Sequence, residues 1–247
     1  MVGIFEARVF IGQRFWRVGS LALFVYMKGA EKMIHSFSRT ELLTGRGGLL
    51  ALAAAKVAVF GIGGVGSYAA EALARSGIGA ISLIDHDRID ETNINRQLHA
   101  LQSTVGLYKV DVMGERIKDI NPECRVEARR EFFEFKRAAE FLESGHDYII
   151  DAIDSVDAKI GLICGSLQRG IPIVSAMGAA NKLDPTGFGV VDISETYNDP
   201  LARVVRKRLR DAGISTGLKV VFSPELPRRV QGKSEYEKKY GRMGGPG

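Results

Sequence analysis

The residues of this chain whose types and spacing could do chemistry lie in one stretch, residues 56–97, and shortly after it. Gly61, Gly63, Gly64 and Gly66 form a glycine-rich turn; Asp85 and Asp87 follow, then Asn93, Arg96, Gln97 and Lys109. Clustered glycines let a backbone turn tightly and leave room for a ligand. A helix that starts there offers unpaired N–H groups and the positive end of its dipole to phosphates. A carboxylate at the end of the following strand, where Asp85 stands, can accept hydrogen bonds from both ribose hydroxyls. An arginine grips two phosphate oxygens at once and a lysine supplies a point charge. Arg96 and Lys109 converging on one nucleotide therefore suit a triphosphate, whereas a nicotinamide dinucleotide needs few cations there. The glycines alone do not separate NAD, FAD, SAM and ATP.

These residues need a scaffold, and the sequence predicts one. Val57–Phe60 is short, apolar and β-branched enough for a buried parallel strand, and it passes straight into the glycines. Ser67–Ser76 carries a helix pattern closed by Gly77, and a second apolar strand, Ala80–Ile84, ends on Asp85. Gly106–Ile120 reads as a helix holding Lys109, stopped by Asn121-Pro122. Cys124–Ala128 and Asp147–Ile150 are strand candidates on either side of a helical stretch, Phe135–Leu142. A helix at Lys159–Arg169, strands at Pro172–Ala176 and Gly189–Ile193, and a helix at Leu201–Asp211 continue the alternation. The pattern predicts an α/β, Rossmann-like, doubly wound and mostly parallel sheet with helices on both faces. In such sheets an acid at the carboxyl end of a strand faces the ligand crevice, and the run Asp151-Ala152-Ile153-Asp154 after the Asp147–Ile150 strand offers two, Asp151 and Asp154.

Composition sets bounds. A chain of 247 residues, 45% hydrophobic, can bury one substantial α/β core, and a formal charge of +5 is compatible with a nucleic-acid partner without requiring one. Cys124 and Cys164 are the only cysteines, too few for a four-thiolate zinc site, and they read as buried small hydrophobes of a reducing cytoplasm. The apolar run Ser20–Met27 is eight residues long, far short of the roughly 20 that a membrane-spanning helix needs. In the helix at Leu201–Asp211, Arg203, Arg206, Lys207 and Arg210 share one face, suited either to a polyanion's phosphates or to solvent.

Together the glycine turn, Asp85, the run Asn93-Ile94-Asn95-Arg96-Gln97 and Lys109 resemble the adenylating superfamily of ThiF, MoeB and the ubiquitin-activating enzymes. In sequence detail the chain looks most like the tRNA threonylcarbamoyladenosine dehydratase branch. The resemblance covers roughly residues 34–228. It divides the chain into an N-terminal extension outside the fold (1–32), an adenylating domain (33–228) and a charged, Gly-rich tail that reads as disordered (229–247).

The resemblance implies ATP and Mg²⁺. Asp85 and Asp87, with Gly61, Gly63, Gly64, Gly66, Asn93 and Gln97, would bind the nucleotide; Arg96 and Lys109 would act on the phosphates, and Asp154 would hold the metal. It also implies a homodimer in which Arg39 reaches the partner protomer's ATP, a tRNA substrate, a cytoplasmic setting, and a cysteine desulfurase system as an associated partner. The activity implied is adenylation of the threonyl carboxylate of threonylcarbamoyladenosine, followed by cyclisation with loss of water. That chemistry needs no transfer cysteine, because the nucleophile is already in the substrate. Two other readings stand beside it. One is adenylation of a sulfur-carrier protein's C-terminus, against which the absence of paired CxxC motifs counts; the other is a non-catalytic nucleotide- or tRNA-binding remnant. An NAD oxidoreductase would leave Arg96, Lys109 and Asp154 without a shared purpose.

Overall fold

The computed structural model describes residues 7–11, 14–18, 36–228 and 232. The chain divides into two compact units, one running to Phe132 and including Glu143–Tyr148, the other made of Phe133–Leu142 and the residues from Ile149 onward.

The first unit opens with an antiparallel strand pair, β1 (Ala7–Ile11) and β2 (Arg14–Val18), which forms its own two-stranded sheet. Helix α1 (Ser38–Ala54) follows and breaks at Gly45, whose φ of 71° is left-handed. Then come β3 (Lys56–Phe60), α2 (Gly66–Arg75), β4 (Ala80–Ile84), α3 (Lys109–Ile120) and β5 (Arg125–Arg129). The three strands lie in the order β5-β4-β3, all parallel, with Phe60 beside Ile84 and Ile84 beside Arg129. All of β4 and the last four residues of β3 are buried, which explains their unbroken apolar runs: a parallel strand packed on both faces does not alternate. β5, with the sequence Arg-Val-Glu-Ala-Arg, has no fully buried residue, and its charges suit a sheet edge.

The second unit holds α4 (Ala138–Leu142), β6 (Tyr148–Asp151), α5 (Val156–Gln168), β7 (Ile173–Ala176), β8 (Gly189–Asp192), α6 (Pro200–Asp211) and β9 (Lys219–Phe222). β6, β7 and β9 run parallel and β8 is antiparallel to β9. Asp199 caps α6 by accepting from Ala202 N at 2.8 Å, with Pro200 in the first turn, and Ala202, Val205 and Leu209 form the buried stripe. Strand–helix alternation with mostly parallel pairing is the α/β, Rossmann-like architecture the sequence predicts.

Several boundaries differ from the periodic pattern by one to three residues, α5 for example beginning at Val156 rather than Lys159, and two of the shifts have a visible cause. α3 begins at Lys109, because Gly106 takes a φ of 86° and the segment 106–108 pairs with the chain after β4: Gly106 N donates to Ile89 O and Ile89 N to Leu107 O, each at 2.8 Å. Cys124 precedes β5, closing a turn through its N–H to Asn121 O at 3.0 Å. Among the described residues no helix is long and apolar enough to cross a membrane. Of the expected extension only β1 and β2 are described, and the expected tail, Gly232 apart, lies outside the described residues.

Candidate nucleotide site

β3 delivers the chain to Gly61, whose φ of 83° is one that residues with a Cβ rarely adopt. Gly61 N donates to Ile84 O at 2.9 Å, so the turn leaves β3 while still tied to the end of β4. The next N–H, on Ile62, donates to Asp85 Oδ2 at 2.6 Å, and Asp87 N donates to Asp85 Oδ1 at 2.8 Å. Asp85 thus ties the glycine turn to the loop that follows β4. Each of its oxygens takes only one of these bonds, and a carboxylate has about four acceptor positions, so capacity remains for ribose hydroxyls. α2 starts with Ser67 N donating to Gly63 O at 3.1 Å, and no side chain caps it. The first-turn N–H groups that the turn itself does not take up are therefore left for solvent or an anion.

A second turn lies over the first. A Cβ on Gly64 would come within 3.4 Å of the Arg96 carbonyl and 3.5 Å of Arg96 Cγ, and one on Gly63 would stand 4.0 Å from Gln97 Nε2. Asp90 builds this turn: its Oδ1 accepts from Thr92 N at 2.8 Å and from the Thr92 hydroxyl at 2.6 Å, while its own N–H donates to Asn93 Oδ1 at 3.1 Å. The Thr92 hydroxyl, then the Thr92 amide, holds the Asp90 carboxyl below its ordinary range. Buried Asn93 therefore spends its carbonyl oxygen on the chain. Leu98 N donates to the Ser67 hydroxyl at 3.3 Å, joining the turn to α2. Arg96 is exposed and folds back, donating from Nη1 to Thr92 O at 2.9 Å and Asn95 Oδ1 at 3.0 Å. Gln97 is buried, and its Oε1 has no partner among the described residues.

Lys109 completes the cluster. Its side chain is 8% exposed, and Nζ donates to Asp87 Oδ2 at 2.6 Å. His86 Nε2 lies 3.3 Å from the other Asp87 oxygen, and the ligand atoms of Asp85, His86 and Asp87 fall within 4.8 Å of one another. The first unit thus brings together Gly61, Gly63, Gly64, Gly66, Asp85, Asp87, Asn93, Arg96, Gln97 and Lys109.

Arg39 and Asp154 stand on other elements. Arg39 is exposed in the first turn of α1, followed by Leu42 and Leu43 at 79% and 87% exposure. Asp154 is exposed in the loop between β6 and α5 of the second unit and has no hydrogen bond or ion pair among the described residues. The loop is anchored at Asp151, which accepts from Ile153 N at 3.0 Å, from Lys159 Nζ at 2.8 Å and from the Ser175 hydroxyl at 2.6 Å. Of the four cations on α6, Arg206 donates to Thr196, while Arg203, Lys207 and Arg210 are exposed. Burial raises the Cys124 thiol to about 11 and pushes Cys164 up as well, so neither is poised as a nucleophile.

Sequence reasoning passed over His99. It is 1% exposed, neither ring nitrogen has a partner among the described residues, and burial, with the Lys109 charge adding to it, lowers its pKa to about 4. A lone histidine between Leu98 and Ala100 has no spacing that would mark it; only its burial does.

The ThiF family model matches residues 37–217. The chain is 56% identical over 195 residues to the tRNA threonylcarbamoyladenosine dehydratase of Bacillus subtilis (strain 168), covering 79% of this chain and 77% of that protein. It is 48% identical over 196 residues to the enzyme of the same name from Escherichia coli (strain K12), with 76% and 73% covered. The crystal structure of E. coli TcdA in complex with ATP superposes with a TM-score of 0.77 at 47% identity, covering 78% of this chain and 83% of that one.

Proposed function

Because the chain belongs to the ThiF family, we propose that it uses ATP to adenylate the threonyl carboxylate of threonylcarbamoyladenosine in tRNA, which then cyclises with loss of water. The observation that carries this reading is the stacking of the Asn93–Gln97 turn on the glycine turn, with Arg96 against Gly64, at the carboxyl ends of β3 and β4. The similarity to dehydratases along most of their length supports the substrate.

A carboxylate is a poor acyl donor because oxide is a poor leaving group. Attack of a carboxylate oxygen on the α-phosphorus forms an acyl-adenylate and expels pyrophosphate. A nucleophile within the same nucleoside then closes on the carbonyl and AMP departs, so the oxygen lost as water leaves on AMP. The protein's task is position and charge. Asp85 orients the ribose while holding the glycine turn; Gly63, Gly64 and the open end of α2 admit the phosphates. Asn93 and Gln97 line the turn above, Arg96 swings from the Thr92 carbonyl onto phosphate oxygens, and Lys109, steadied by Asp87, supplies a fixed charge. Mg²⁺ fits Asp154, a solvent-facing carboxylate without a partner in a loop that Asp151 anchors; one protein carboxylate beside phosphate oxygens is enough for this ion, which neutralises phosphate charge when bound.

The same reading makes the protein a cytoplasmic homodimer working beside a cysteine desulfurase system. Leu42 and Leu43, exposed on the same stretch of α1 as Arg39, supply apolar surface for a partner protomer, with Arg39 reaching that protomer's ATP. The exposed Arg203, Lys207 and Arg210 supply contacts to tRNA phosphates. The deciding experiment incubates purified protein with ATP and tRNA carrying threonylcarbamoyladenosine, following AMP and, by mass spectrometry, loss of one water from the nucleoside. AMP release with dehydration is expected; adenylation of a sulfur-carrier protein instead would overturn the assignment.

A further inference from the structure

Beside the Asp87–Lys109 pair the surface carries a group of rings and guanidinium planes that the adenylation chemistry does not use. Arg88 Cζ lies 3.8 Å from the centroid of the Tyr108 ring, and Arg130 Cζ lies 4.6 Å from the same centroid. Each guanidinium is held by its own acceptor: Arg88 Nη1 donates to Gly106 O at 2.7 Å, and Arg130 donates from Nε to Asp111 Oδ1 at 3.0 Å with Nη2 2.7 Å from Oδ2. Nearby in sequence, His86 and Phe132 meet edge to face with centroids 5.0 Å apart, and both are open to solvent, Phe132 at 43%. The spacing is regular. His86 and Arg88 flank Asp87 in one loop, Arg130 and Phe132 stand two apart after β5, and Tyr108 immediately precedes Lys109.

An exposed phenylalanine by itself is ordinary. Two exposed arginines fixed over one tyrosine, beside an exposed histidine–phenylalanine pair and adjoining the residues that bracket the nucleotide, form a platform with a definite chemistry. Aromatic rings and guanidinium planes are the surfaces on which unpaired bases stack, and guanidinium edges meet phosphates. Bases inside a duplex are already stacked and cannot use such a surface. Resting on the tRNA reading above, we infer that His86, Arg88, Tyr108, Arg130 and Phe132 form the docking rim for the single-stranded RNA loop that carries the target nucleoside.

The test is fluorescence anisotropy with two RNAs of equal length, a hairpin bearing the modified nucleoside in its loop and a blunt duplex. It compares the wild type with Phe132→Ala and Arg130→Ala, using Phe132→Leu, which keeps bulk but loses the ring, if the alanine variant does not fold. Each variant is expected to weaken hairpin binding by about tenfold, the scale of losing one base stack, while duplex and ATP binding stay at wild-type levels. Hairpin binding unchanged in the variants overturns the rim, as does parallel loss of hairpin and duplex. If the wild type dehydrates tRNA while the variants bind the hairpin normally, the rim alone fails. If the hairpin binds in a Phe132-dependent way without AMP release, the rim stands and the dehydratase reading fails. A wild type that binds no hairpin overturns the rim, and overturns the dehydratase reading as well only if tRNA is not dehydrated.

Discussion

Lys109 and Asp87 are joined twice: Lys109 Nζ donates to Asp87 Oδ2 at 2.6 Å, and Lys109 N donates to the Asp87 carbonyl at 3.1 Å. The first bond holds a charge, and the second holds the start of α3 against the loop after β4. The lysine is nearly buried and the aspartate half exposed, so the cation is fixed in place before any nucleotide arrives. A preorganised charge needs no reorganisation at the moment of reaction, which is where such groups have most effect.

Lys109→Ala is therefore expected to slow ATP-dependent AMP formation on the order of 10²- to 10³-fold, the scale of one preorganised donor. Asp87→Asn, which can keep a hydrogen bond to Nζ but loses the charge, should cost less. Single-turnover AMP release by both variants checks the order. An alanine variant as fast as the wild type would remove Lys109 from the site.

Two histidines make stability depend on pH. His99 and His146 both have pKa values lowered to about 4, by burial first, with the Lys109 and Lys56 charges respectively adding to it. His146 Nε2 meets the Ser82 hydroxyl at 3.0 Å and its Nδ1 has no partner among the described residues. In the unfolded chain a histidine titrates near 6.5, so between that pH and about 4 the unfolded state binds more protons. The sign follows: the stabilisation is fully present above about 6.5 and is lost as pH falls towards 4. Urea unfolding at pH 7.5 and pH 5, a window in which most carboxylates stay ionised, should show a loss on the order of 2 kcal/mol for each ring, up to roughly 4 kcal/mol for the two. His99→Phe should flatten part of that slope. A stability that is constant or rises on acidification would contradict the burial of both rings.

The three exposed α6 cations bear on tRNA affinity through counterion release. Replacing Arg203, Lys207 and Arg210 with alanine should weaken tRNA binding regardless of sequence and lower the slope of log K against log salt by about 2 to 3, roughly one for each phosphate that is no longer neutralised. ATP binding should not change. An unaltered slope would return these residues to the role of a solvated face.

Much of this was legible in the sequence because it rests on local rules. β4 runs over the residues that its apolar pattern marks, and the turn at Gly61 follows from a strand that ends in glycines. The start of α3 was not legible, since it depends on pairing between residues 88–89 and 106–108 across a loop with no periodic signal. Asn93 shows the same limit from the side of function. Its place in a motif suggests a ligand contact, while the structure shows one end of its amide already committed to Asp90 N. His99 and Lys159 could not be read at all, because burial of a polar side chain is decided by distant elements.

Lys159 and Asp151 are both fully buried, and the carboxylate also accepts from Ser175 and Ile153. Lys159→Met would leave a buried carboxylate without its cation, at a cost of about 3 to 5 kcal/mol in urea unfolding. Because Asp151 anchors the loop that carries Asp154, Asp151→Asn should also raise the Mg²⁺ concentration needed for half-maximal AMP release. A variant with lowered stability and an unchanged Mg²⁺ requirement would separate the anchor from the metal.

The proposed role of Arg39 in the neighbouring protomer's site can be tested by complementation. Alone, Arg39→Ala and Lys109→Ala proteins should each be nearly inactive. In a mixed dimer, the protomer that keeps Lys109 receives an intact Arg39 from its Lys109→Ala partner, so one site of the two is whole. Random exchange of equal amounts should restore up to about a quarter of wild-type activity, since about half the dimers are mixed and each has one competent site. Placing charges at Leu42 and Leu43, as Leu42→Asp with Leu43→Asp, should abolish both the rescue and the dimer seen by sedimentation. Those side chains are exposed on the single chain, so the substitutions cost little in its own stability and report on association. Activity that stays at the level of either parent after mixing would mean that Arg39 acts within its own chain or does not reach ATP, and the finger assignment would then be withdrawn.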